Sequence, residues 1–106
     1  MTNIDLDVKV KFLQGFSNKT RVQILECLKE NEKTVSQIVH EVEATQSSIS
    51  QHLSCLRECG LIVSRQEGKY VYYKIRNEKI GSLLSMFDEV LLDIQQNISS
   101  CNSHFI

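Results

Sequence analysis

The sequence predicts a mainly α chain with a small β-hairpin, and three observations carry that reading. Apolar residues recur at helical spacing from Leu6 to Leu56, two short alternating strands flank Gly68, and a heptad-like seam runs from Ile80 to Ile98. With 106 residues and 42% apolar content the chain fits one domain, residues 1–106, with a thin core. Domains this small often gain buried surface by dimerising.

The first helix is expected from about Asp5 to Gln14, with Leu6, Val10 and Leu13 on one face and Gly15 ending it. Ser17 or Asn18 can cap a second helix whose apolar face is Val22, Ile24, Leu25 and Leu28. Thr34 with Gln37 three residues on forms a capping-box pattern, opening a short third helix that carries Val35, Ile38, Val39 and Val42. After a turn around Glu43 and Ala44, Thr45 can cap a fourth helix reaching about Cys59. Gly60 then stands where a left-handed C-terminal cap is wanted. Two helices joined by so short a turn make a helix-turn-helix candidate.

LIVSRQ and YVYYKI read as two strands around a Gly-containing turn, with Val71, Tyr73 and Ile75 on one face and Tyr70, Tyr72 and Lys74 on the other. The last helix starts near Asn77. Its seam of Ile80, Leu84, Phe87, Leu91, Ile94 and Ile98 can pack within the domain or against a second copy, and its length favours the second copy. Helices, a hairpin and a closing helix in this order make a winged helix-turn-helix.

The net charge of −1 says nothing about nucleic acid, but its distribution does. Residues 46–79 carry +3, and the segments before and after carry −1 and −3. The positive excess falls on the elements that would read DNA. No run of about 18 apolar residues exists to span a membrane, and the charged N-terminus has no signal-peptide core. A cytoplasmic location follows as an expectation. The four cysteines then read as thiols rather than disulfides, which turns attention to metal binding or redox sensing.

At about 100° per residue the fourth helix sorts its side chains into three sectors. Ile49, Leu53 and Leu56 mark the core side. Gln46, Ser47, Ser50, Gln51 and Ser54 lie away from it, where small hydroxyls and amides can reach phosphates and base edges. Arg65, Lys69 and Tyr70 on the hairpin are the matching phosphate or minor-groove contacts. Between the core and DNA sectors fall Ser48, His52, Cys55 and Cys59. Cysteines at i and i+4 lie one turn apart, so both sulfurs can reach one cation and leave room for a third ligand. Cys27, inside the run ILECL, is expected to be core. His40 is expected on a solvated face, His52 on the helix surface, and His104 in a free terminus.

The stretch SQHLSCLRECGLIVSRQEGKYVYY, from Ser50 to Tyr73, resembles the ArsR/SmtB family of metal- and stress-sensing repressors. SNKTRVQIL, from Ser17, resembles the family's segment at the start of its second helix, with Lys19 in place of the usual proline. The likeness spans roughly residues 12 to 98. It implies a homodimer that binds double-stranded operator DNA at an imperfect inverted repeat and releases it on meeting an inducer. The first and last helices would form the dimer interface, drawing on Leu6, Val10, Leu13, Leu84, Phe87, Leu91 and Ile94.

Among the family's inducer sites, the arsenic-type Cys-x-Cys cluster is absent from the third helix, which reads QIVHEVEA. The zinc-type site lacks a histidine on the last helix before His104. What is similar is the CmtR-type cadmium/lead-sensing branch: its S-C-L-R-x-C-G pattern stands here as SCLRECG, and a third cysteine follows on the tail. The resemblance therefore implies Cys55, Cys59 and Cys101 as ligands of Cd2+ or Pb2+, with trivalent arsenic a further thiophilic fit.

Two rivals stay open. A thiol pair could sense oxidants or sulfur species through a bond from Cys55 or Cys59 to Cys101, or the chain could be a dimeric interaction module without DNA binding. No Ser-His-Asp arrangement, phosphate-cradling glycine loop or paired carboxylate site points to an enzyme.

Overall fold

A computed structural model of the chain describes residues 3–101, with side chains as far as residue 97. The elements run α1 (Leu6–Gln14), α2 (Lys19–Glu30), β1 (Lys33–Thr34), α3 (Val35–Val42), α4 (Gln46–Glu58), β2 (Ile62–Glu67), β3 (Tyr70–Ile75) and α5 (Glu78–Cys101). Two compact units divide the chain, one ending at Arg76 and the other beginning at Asn77.

Each helix of the first unit starts at a residue whose side chain satisfies an orphan amide. Asp5 accepts from the Asp7 amide at 2.9 Å, Asn18 from Arg21 at 3.1 Å and Thr45 from Ser48 at 3.1 Å. Thr34 closes the expected capping box. The Gln37 amide donates to its hydroxyl at 3.3 Å, and the Thr34 amide donates back to Gln37 Oε1 at 2.9 Å. The end of α4 is a Schellman motif: Gly60 stands at φ 81°, its amide donates to the Arg57 carbonyl, and the Leu61 amide donates to the Leu56 carbonyl.

The β-hairpin becomes a three-stranded antiparallel sheet of order β1-β3-β2, because Lys33 and Thr34 pair with Tyr73 and Tyr72. Two residues of strand carry no periodicity, so β1 left no trace in the apolar pattern. Gly68, at φ 62°, makes the turn between β2 and β3.

The core of the first unit is Ile24, Leu25 and Leu28 of α2, Ile38 of α3, Ile49, Leu53 and Leu56 of α4, and Leu61 and Ile62 leading into β2. Lys33 is the buried charge among the described residues. Its ammonium donates to the Cys27 carbonyl at 2.8 Å and pairs with Glu41 at 3.3 Å, which compensates its removal from water. Gly15 caps the end of α1, as expected. Its backbone is right-handed, but a Cβ there would overlap the Leu61 side chain and crowd the Phe12 carbonyl. Close packing excludes a side chain at that position.

α1 buries none of its residues, and Leu6, Val8, Val10 and Leu13 are all exposed. In the second unit, Ile80 and Leu84 of α5 are buried, Phe87 and Ile94 are half-buried, and Met86, Val90, Leu91 and Leu92 are exposed. Leu84 departs from the interface expected of it, since at 1% exposure it keeps no surface for a partner. The Ile98 side chain lies outside the described residues.

Two substitutions test this packing by urea unfolding. Leu53→Ala should cost about 2–5 kcal/mol by leaving a cavity beneath α4. Gly15→Ala should cost about 1–3 kcal/mol by overpacking Leu61. A neutral Gly15→Ala would show that Leu61 can step aside.

Candidate functional site

The three-sector reading of α4 holds residue by residue. Ile49, Leu53 and Leu56 are buried, at no more than 1% exposure. Gln46, Ser47, Ser50, Gln51 and Ser54 are exposed. Ser48, His52, Cys55 and Cys59 are half-buried along the flank between them. The outward sector holds only hydroxyls and amides, so it can donate to or accept from base edges and phosphate oxygens without first desolvating a charge.

Cys55 and Cys59 lie one turn apart on the same half-buried flank of α4. Burial pushes the Cys59 thiol up from its ordinary range and Cys55 adds to the shift, while Lys11 of α1 and Arg21 of α2 pull it back down. Arg21 is fixed there by its own bonds. Its guanidinium donates to the Gln14 carbonyl at 2.9 Å and to the Ser17 hydroxyl at 3.4 Å, while its Nε is buried without a partner among the described residues. No cluster of three metal-ligating side chains exists among the described residues. The thiol pair therefore fits two positions of a thiophilic ion's shell, and the Cys101 side chain proposed for the third lies outside the described residues, as does His104.

Lys69 and Tyr70 stand exposed at the tip of the hairpin, the ammonium 5.5 Å from the ring centroid. Arg65 is exposed too, but it is already held: Nε donates to Glu32 Oε2 at 3.1 Å, and its other nitrogens donate to Glu32 and Glu67. Sequence reasoning missed Glu32 because it lies 33 residues from Arg65, with no local pattern linking them. Cys27 also differs from its expected core position. It is half-buried and lines an open pocket with Glu26, Glu30 and Glu41, and burial pushes its thiol up. His40 is exposed, as expected.

A capped helix-turn-helix, a polar outward face on α4 and a β-hairpin wing define a winged helix-turn-helix DNA-binding protein. Residues 18–64 match the arsR family of bacterial regulatory proteins. The transcriptional activator HlyU of Vibrio cholerae is 31% identical over 87 residues, covering 82% of this chain and 81% of HlyU. The HTH-type regulator CmtR of Mycobacterium bovis is 32% identical over 81 residues, covering 76% and 69%. Among solved structures, the homodimeric winged helix-turn-helix DNA-binding domain Mb0332 of Mycobacterium bovis superposes at a TM-score of 0.73 and 24% identity, covering 100% of this chain and 99% of that one. The chain belongs to the arsR family and is a DNA-binding transcriptional regulator, not an enzyme.

His52 supplies a pH test of the flank. Burial, and then the Arg21 charge, lower its pKa from the ordinary value near 6.5. The neutral imidazole is thus the form that fits, so its contribution is present above the unfolded pKa and lost as pH falls through the lower folded one. Urea unfolding between about pH 7 and about pH 5 should show stability falling towards acid, with a shallower fall in His52→Asn. Identical slopes would remove His52 from the flank's energetics.

Proposed function

We propose that this chain is a homodimeric repressor that binds an inverted-repeat operator through α4 and its wing and releases it when a thiophilic ion, cadmium or lead, reaches Cys55 and Cys59. The observation that supports it is the placement of two half-buried thiols, one turn apart, on the helix whose outward sector presents Gln46, Ser47, Ser50 and Gln51. Cys55 and Cys59 would hold the ion as thiolates, with Cys101 as third ligand. Trivalent arsenic suits the same donors. A bound ion supplies a cross-link at the C-terminal end of α4.

α4 is a single uninterrupted helix, so a pull on its last turn is felt along its outward sector. Two such helices in a dimer must meet successive major grooves about 34 Å apart, which leaves little tolerance for a displaced helix. The unburied apolar residues of α1, and those of α5, support dimerisation, because such faces on so small a domain call for cover. The choice of ion rests on the resemblance of SCLRECG, Ser54 to Gly60, to the cadmium/lead-sensing branch of the family.

Operator binding by fluorescence anisotropy, titrated with cadmium, tests this reading. Cadmium should weaken DNA binding about 5- to 150-fold, a coupling of about 1–3 kcal/mol, and Cys55→Ser should abolish the effect. The effect should grow with pH, since binding displaces the proton that burial holds on Cys59. DNA affinity indifferent to cadmium would sink the metal reading and leave the DNA-binding regulator standing.

A second reading, thiol-redox sensing, is favoured by one observation: a solved structure of the reduced form of HlyU superposes on this chain at a TM-score of 0.71 and 31% identity, covering 79% of this chain and 88% of that one. Ellman titration after mild peroxide separates the two, because a metal sensor keeps its free thiols and its operator affinity.

A further inference from the structure

The sheet register sets up a contact that the local sequence did not show. Arg65 of β2 stands opposite Tyr72 of β3, Glu67 opposite Tyr70, and Val63 opposite Lys74, while Thr34 of β1 meets Tyr72 from the other side. Alternation therefore puts Arg65, Glu67, Tyr72 and Lys74 on one sheet face. Arg65 lies across that face with its guanidinium carbon 4.7 Å from the Tyr72 ring centroid. It ends in a two-point contact with Glu32, just ahead of β1, while its remaining terminal nitrogen donates to Glu67.

A guanidinium grips phosphate with the same planar fork that it uses for a carboxylate. Glu32 thus fills the seat that a DNA phosphate would take. Two carboxylates share Arg65, and the Lys74 charge also acts on Glu32 from the same groove, so the group is balanced without a phosphate. A phosphate reaching Arg65 would add an unmatched negative charge unless Glu32 gave way. The contact can open, since the Arg65 and Glu32 side chains are 47% and 33% exposed. Arg65 holds Glu32 below the usual carboxylate range, so the mask is charged at neutral pH.

We propose that Glu32 is an internal phosphate mimic: it occupies Arg65 in the free protein, and the DNA backbone displaces it when the wing docks. This rests on the reading of β2 and β3 as a DNA-contacting wing. The free wing then draws DNA in through Lys69 and Lys74. Arg65 adds its charge only to a duplex placed close enough to compete with Glu32.

The test is a salt titration of anisotropy with a labelled duplex from the promoter upstream of the chain's own coding sequence, using wild type, Glu32→Gln, Arg65→Ala and the double variant. Freeing Arg65 should make Glu32→Gln bind more tightly than wild type at the same slope of log affinity against log salt, because Arg65 reaches the phosphate in both complexes, whereas Arg65→Ala should flatten that slope by about 0.9 per protomer. In the Arg65→Ala background the same change should give a much smaller gain in affinity. Matching thermal unfolding of the four proteins confirms that all are folded.

Weaker binding by Glu32→Gln would overturn the proposal, because Glu32 would then be positioning Arg65 rather than masking it. An equal gain with and without Arg65 would overturn it too, since simple removal of negative charge would suffice. A wild type that prefers the promoter to an unrelated duplex, combined with a Glu32→Gln affinity equal to wild type, would refute the mimic and keep the regulator. A wild type with no such preference would bring down both.

Discussion

The rotation of α4 about its own axis governs what this protein can do. Ile49, Leu53 and Leu56 are buried on the helix that contacts α2, α3 and β2, and a turn of α4 by one residue would replace them with Ser48, His52 and Cys55 or with Ser50, Ser54 and Arg57. Each buried leucine or isoleucine contributes about 1.5–3 kcal/mol relative to exposure, so that rotation is strongly held. Thr45 fixes where the helix begins, and the Schellman motif at Gly60 fixes where it stops. With both ends and one face set, the outward sector and the flank follow from geometry.

That constraint puts two chemistries on one rigid body. Gln46, Ser47, Ser50 and Gln51 look outward, while Cys55 and Cys59 sit on the flank in a half-buried setting crossed by the fields of Lys11 and Arg21. The two influences on Cys59 oppose each other: burial favours the thiol, and the cations favour the thiolate. Burial is the larger, so Cys59 rests protonated and gives up its proton to a ligand that binds sulfur strongly enough to displace it. Arg65 follows a related logic on the wing. Its charge is offset by Glu32 and Glu67, much as the Lys33 charge is offset by Glu41.

Much of this was legible in the sequence because it is local. Thr34 with Gln37, Thr45, Gly60 and the spacing of Ile49, Leu53 and Leu56 act within a turn or two of chain, and each stands where its pattern placed it. The flank of Ser48, His52, Cys55 and Cys59 was legible for the same reason. What escaped notice depends on residues distant in sequence. β1 exists because β3 comes back to pair with it, and the grip of Glu32 on Arg65 depends on that sheet. Gly15 is needed because Leu61 approaches it. Cys27 sits at a pocket edge because α2 meets α3 beside it, which the apolar run ILECL could not reveal. The burial of Leu84 likewise separates it from the exposed Leu91, although both belong to the same seam.

The central claim is that one helix couples the thiol pair to DNA, and linkage makes that claim reciprocal. The direct measurement is a cadmium titration followed by thiolate charge-transfer absorbance, with and without saturating promoter DNA. The account predicts that DNA weakens cadmium binding by the same factor, about 5- to 150-fold, by which cadmium weakens DNA binding. Cadmium that binds the thiols equally well with DNA present would contradict it, because the thiol pair and the DNA face would then be neighbours on α4 without being coupled.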